Sequence, residues 1–117
     1  MAGGSDWPVT DLVPFDQMEM AVTRTTIGTV PGTKYGRPLN RALGLRLRES
    51  VITHTYGGAF QAHLDGRIGS LEVGKDADLL VLDRNVFDGP ARRIHEARPV
   101  LTMVRGRVLH RAAAFDG

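Results

Sequence analysis

Hydrophobic positions along the chain change their period near its middle. Over residues 14–25, Phe15, Met18, Ala21 and Val22 recur at i, i+3, i+6 and i+7, which predicts a short amphipathic helix with proline in its first turn. Residues 26–40 lose that spacing and carry Gly28, Pro31, Gly32, Gly36 and Pro38, so a loop is expected, either a border of a site or simply a mobile connection. Helical spacing returns over 45–54 through Leu47, Val51 and Ile52. Gly57 and Gly58 interrupt it, and a second helical piece over 59–64 stops at the turn signal of Asp65 and Gly66.

Beyond Gly66 the pattern becomes extended. Ile68, Leu71 and Val73 lead to Gly74, Lys75 and Asp76, and residues 77–83 read as a strand, apolar on both faces in its middle and therefore expected to be buried. Residues 84–90 read as a loop and 92–98 as one helical turn. Residues 100–105 and 107–110 then form two strands joined by a tight turn at Arg105 and Gly106. The chain thus divides into loops and short helices over 1–66 and a β-rich part over 67–117.

Composition narrows the classes. The 117 residues suffice for one domain or part of one, and 42% hydrophobic with 24% charged residues is the balance of a soluble globular protein. The absence of cysteine excludes a disulfide framework and any thiolate metal site. No apolar run approaches the ~18–20 residues that a bilayer requires, so no membrane partner is expected. With no secretory signal ahead of the first glycine pair, the expected location is cytoplasmic. A pI near 9.5 suggests nucleic acid, but the formal net charge is only +2. Arg37, Arg41, Arg46 and Arg48, and more loosely Arg92, Arg93 and Arg98, lack the interleaved aromatics that base stacking needs, so solvated faces are expected and no nucleic acid.

Candidate chemistry concentrates at the start. Asp6 follows Gly3, Gly4 and Ser5 and precedes Trp7 and Pro8, a pattern that holds a carboxylate in one direction at a backbone bend. Two meanings stand open: a strand-end catalytic or metal-binding aspartate, or an ordinary Asx turn. Other motifs fail on inspection. Gly69 to Lys75 matches the first seven positions of a phosphate-binding loop, but Asp76 stands where Ser or Thr must ligate magnesium, and a strand follows instead of a helix. Residues 83–94 gesture at a calcium loop, but Phe87 replaces a ligand and Ile94 the closing Glu. His54, His63, His95 and His110 show none of the short pairings that zinc sites use, and read as surface or core histidines.

Three blocks together carry a family likeness: Gly-Ser-Asp-Trp-Pro-Val at 4–9, Arg-Ile-Gly-Ser-Leu-Glu-Val-Gly-Lys-Asp-Ala-Asp-Leu-Leu-Val-Leu-Asp at 67–83, and Leu-Thr-Met-Val-Arg-Gly-Arg-Val-Leu at 101–109. The chain resembles the C-terminal part of a metal-dependent amidohydrolase of the urease-related superfamily, in the amidohydrolase-3 branch that includes N-substituted formamide deformylases. The resemblance implies an α/β fold: the last strand and helices of a (β/α)8 TIM-type barrel over 1–66, then β-strands of a composite sandwich over 67–117. Gly3 and Gly4 would end the eighth barrel strand. Since such barrels need ~250 residues, the chain would be truncated relative to them. Met1 would be an internal methionine of a longer ancestor or the start of a shortened reading frame.

The same resemblance implies hydrolysis of carbon–nitrogen bonds, as in amides or N-formyl groups, by a water bound to a divalent metal such as zinc. Asp6 would be a metal ligand and proton shuttle, and Trp7 would line the substrate pocket or simply pack. The family's histidines and bridging residue from earlier strands have no counterpart, and one carboxylate does not hold a catalytic metal. The isolated chain is therefore expected to be inactive, with a small amide-type substrate only in the full-length enzyme, completed by an upstream complementary chain or by self-association. A non-catalytic β-rich interaction or structural module is the alternative.

Overall fold

The computed structural model describes residues 1–113 and Phe115. It is an α/β arrangement of three α-helices and a small antiparallel sheet. Helix α1 spans Pro14–Thr23, with proline in its first turn, and ends at Arg24 in the left-handed region (φ 58°), whose N–H donates to Met20 O. Helix α2 spans Leu47–His54, and its first turn is closed by the Arg46 N–H donating to the Glu49 carboxylate at 2.8 Å. Helix α3 spans Tyr56–Gln61. It therefore starts earlier than expected and contains the two glycines. Gly57 is required there because a Cβ would collide with the Met1 carbonyl, so close backbone approach overrides weak helix propensity.

The sheet has the order β1-β2-β3, with β1 Leu79–Leu82, β2 Pro99–Val104 and β3 Arg107–Arg111. The predicted hairpin is present: Val104 faces Arg107 across Arg105 and Gly106, both at positive φ. Strand β1 is shorter than expected because the residues before it turn toward the hairpin. Ala77 O accepts the Gly106 N–H at 3.1 Å, and the Asp78 carboxylate accepts the Arg105 N–H at 2.7 Å. Its expected burial is corrected as well. Leu80 is 51% exposed, because nothing among the described residues covers that part of β1. The extended reading of 68–73 is also replaced: none of these residues joins a strand, 68–70 bend and Val73 enters a turn, with Gly69 at φ 90° and Lys75 Nζ donating to Asp65 O and Ser70 Oγ.

One core joins helices to sheet. Phe15 and Met18 of α1 pack on Ile94 and Ala97, flanked by Val22, Leu47, Val51, Leu82, Val86 and Ala91. Ile94 belongs to the 3₁₀ segment Ala91–Glu96, where a single helical turn is expected from sequence. The cluster draws on both sides of residue 66. Glu19, on the apolar stripe of α1, is only 3% exposed and accepts hydrogen bonds from the His95 N–H at 3.0 Å and, in one tautomer, from His95 Nδ1 at 2.7 Å. The 26–40 loop is tied down by Arg92, whose guanidinium donates to Gly36 O at 3.1 Å and Thr29 O at 3.4 Å.

Ile94 is the largest fully buried side chain. Ile94→Ala is expected to destabilise the chain by about 2–5 kcal/mol in chemical denaturation; a loss below ~1 kcal/mol would show that the site is not core. A second expectation concerns acid. The Arg84 guanidinium, then the Arg98 N–H, hold the Asp83 carboxyl below the usual carboxylate range, and Arg93 with Arg84 does the same for Glu96. A depressed folded-state pKa gives stability that is present above the unfolded value and lost as pH falls through the folded one. Stability should therefore drop below pH ~4, and Asp83→Asn should flatten that part of the pH profile measured by urea midpoints.

Candidate active-site segment

Residues 1–5 run beside α2 rather than within the sheet. The Gly3 N–H donates to Thr53 O at 2.8 Å, and the Gly3 α-carbon lies against the His54 ring, where a Cβ would come within 2.5 Å of Cε1. Gly3 is thus needed for close approach. His54 is itself fixed: Nδ1 lies 2.9 Å from Ser50 O and 3.2 Å from Thr53 Oγ1, while Nε2 is buried without a partner among the described residues. A proton on Nδ1 satisfies the Ser50 carbonyl and leaves Nε2 as an unpaired acceptor. Ser50 is fully buried, and its hydroxyl reaches Met18 O of α1 at 3.4 Å. Residues 1–5 are thereby referenced to the core through α2.

The bend follows at once. Asp6 adopts φ 53°, its carbonyl accepts the Val9 N–H at 2.8 Å, and the Trp7–Pro8 bond is cis, so residues 6–9 form a tight turn. Thr10 Oγ1 donates to Ser5 O at 2.7 Å and fastens the turn's far side. The Asp6 carboxylate is exposed and accepts no hydrogen bond from a described residue. Trp7 is 64% exposed beside it. The turn is stabilised by its backbone and by Thr10, so the side chain is not consumed in an Asx cap.

The described residues gather no metal cage. No group of three or more His, Cys, Asp or Glu among the described residues is placed to hold a cation, so the residues present do not by themselves fit a divalent metal. Neither Asp6 nor Trp7 lines the main apolar groove, of about 680 Å³, which lies between the helices and the β1–β2 part of the sheet. Glu19 and His95 are the polar pair that sequence reasoning missed. The available signal was an acidic residue four places after Phe15, on the apolar stripe of α1. His54 reads from the sequence as a surface or core histidine, and its contact with Gly3 has no local signature.

Comparison with known proteins sets this geometry in a class. A family model for the amidohydrolases, of the amidohydrolase-3 type, matches residues 1–110, and the chain belongs to the amidohydrolase family, a family of hydrolases. Among its relatives are the protein LONG AFTER FAR-RED 3 of Arabidopsis thaliana, 32% identical over 94% of this chain and 18% of that protein, and an N-substituted formamide deformylase of Arthrobacter pascens, 31% identical over 87% and 18%. An imidazolonepropionase of Micrococcus luteus is 47% identical over 45% of the chain and 15% of the enzyme. The crystal structure of an amidohydrolase from Thermotoga maritima MSB8 superposes with a TM-score of 0.62 at 24% identity, covering 91% of this chain and 21% of that one, a likeness of fold. The chain spans about one fifth of the length of the relatives it matches. No helix among the described residues is long and apolar enough to cross a membrane.

Gly3→Ala should force the His54 ring off the Ser50 carbonyl. The expected result is a shift of the His54 ring resonances in NMR, with a loss of about 0.5–1.5 kcal/mol, the value of one hydrogen bond. Unchanged His54 resonances would contradict the contact.

Proposed function

We propose that the chain is the C-terminal portion of a metal-dependent hydrolase that cleaves carbon–nitrogen bonds in small amide-type or N-formyl substrates. In the complete enzyme Asp6 is one metal ligand and the proton shuttle, Trp7 borders the substrate, and the cation, zinc in this reading, takes its other ligands from outside this chain. The observation that carries this is Asp6 itself: an exposed carboxylate, free of hydrogen bonds from described residues, held on a turn that follows the Gly3 anchor. Support for the chemistry comes from the family match and from the N-substituted formamide deformylase among the relatives. The division into a barrel end over 1–66 and sandwich strands over 67–117, and assembly with an upstream chain, belong to the same proposal.

A second reading, a non-catalytic β-rich module, is favoured by the half-exposed Leu80 and the apolar groove beside it. Activity separates the two only when the missing ligands are supplied. The purified chain, saturated with zinc, should show no turnover of amide or N-formyl substrates. Turnover that Asp6→Ala removes would overturn the expected dependence on ligands from outside. Co-expression with the polypeptide encoded immediately upstream should restore hydrolysis, and Asp6→Ala should cut it by at least ~10²-fold, as befits loss of a group that moves a proton. Restored activity indifferent to Asp6→Ala would sink the assignment of Asp6.

A further inference from the structure

Between Glu19 and Glu49 the chain carries Arg24, Lys34, Arg37, Arg41, Arg46 and Arg48 and no acidic residue. With a net charge of only +2 in all, the remainder of the chain is net acidic. The fold gathers the basic stretch at one end of the α1–α2 pair. The Leu39 N–H donates to Arg24 O at 2.8 Å, and Arg24 Nε returns a bond to Leu39 O at 3.1 Å, so the loop doubles back on the C-terminal cap of α1. A 3₁₀ turn at Arg41–Leu43 follows, the Leu45 N–H donates to Ala21 O at 2.9 Å, and α2 then begins at Leu47.

Among the described residues none of these six cations pairs with a carboxylate. Glu49, the first acid to follow, turns its carboxylate to the Arg46 N–H instead. Arg46 and Arg48 also stand at the start of α2, where the helix's own dipole opposes positive charge, so helix stability does not account for them. A solvated face, the expectation from sequence, needs no apolar side chains among its cations. Yet Tyr35, Leu39 and Leu43 are 64–74% exposed between them.

We propose that this end of the helices docks an acidic segment of another polypeptide, with its carboxylates on the guanidiniums of Arg37, Arg41, Arg46 and Arg48 and its apolar residues on Tyr35, Leu39 and Leu43. The planar fork of arginine matches a carboxylate with two bonds at once, and Arg with Tyr is the mixture that protein interfaces favour. Two other polyanions fit this surface less well. Single-stranded nucleic acid needs successive aromatics to stack on, and Tyr35 is the only aromatic between Glu19 and Glu49. An anionic bilayer takes up a continuous amphipathic helix, whereas here the cations and apolar side chains sit on turns, a 3₁₀ segment and the first turn of α2.

Fluorescence anisotropy with a labelled peptide of repeated Glu-Glu-Leu tests this on the chain itself. The peptide should bind, and its affinity should fall at least ~10-fold from about 50 to about 300 mM salt as screening sets in. Arg41→Glu with Arg48→Glu should weaken binding at least ~10-fold, while Arg107→Glu with Arg111→Glu, the same change of net charge on exposed strand β3, should alter it less than ~2-fold. Since Arg48→Glu suits the dipole of α2, the first pair should melt no lower than the wild-type chain. If circular dichroism shows it unfolded, Arg41→Gln with Arg48→Gln decides by the same readout. A wild-type chain that ignores the peptide overturns the proposal, as do two charge-reversed pairs that lose binding equally. Tighter binding to a duplex oligonucleotide, or to phosphatidylcholine vesicles with about one third phosphatidylserine, would assign the surface to another partner and overturn it too. So would loss of peptide binding on co-expression with the polypeptide encoded upstream, because the surface would then be an internal contact of one enzyme.

Discussion

The buried Glu19 carboxylate is the constraint on which the rest of the molecule hangs. A carboxylate 3% exposed is costly unless it is hydrogen-bonded, and here both partners come from one residue, through the His95 N–H and Nδ1. That residue lies 76 positions away, so the bond fixes α1 against the 3₁₀ segment Ala91–Glu96. Phe15, Met18, Ile94 and Ala97, neighbours of the pair along the chain, form the buried apolar cluster. The segment leads into β2, which holds β1 and β3 on either side. From the segment's other end Arg92 staples the 26–40 loop. Helices, sheet and loop are thus referenced to one pair, a buried carboxylate and a partly exposed histidine, and to the apolar cluster of the same elements.

The Asp6 bend is attached to this frame by a chain of smaller contacts. Met18 O meets the Ser50 hydroxyl, Ser50 O holds the His54 ring, and the ring together with Thr53 O positions Gly3, three residues ahead of Asp6. Each link is a single hydrogen bond or close contact. The core can therefore orient the bend, but among the described residues it gathers no group of three or more metal-ligating side chains there.

Helices α1 and α2 and the β2–β3 hairpin were legible because periodicity and turn chemistry act locally: Phe15 and Met18 mark a face, and Gly106 marks a turn. What was not legible depends on residues far apart in sequence. The start of α3 ahead of Gly57 depends on the approach of the Met1 carbonyl. The exposure of Leu80 depends on which described residues reach β1, whereas an apolar run records only what a strand tends to face. Glu19 and His95 each look like surface residues until they are brought together. At the candidate site, the sequence located the bend and its aspartate; the anchoring of Gly3 by His54 required the packing of α2.

Native-state hydrogen exchange tests most directly whether Glu19 and the apolar cluster bind helix to sheet as one unit. The amides of Val22 in α1 and Leu101 in β2 should open with the same free energy and the same denaturant dependence, since neither element keeps its core partner when the other leaves. An α1 that exchanges at markedly lower free energy while β2 stays protected would contradict the account.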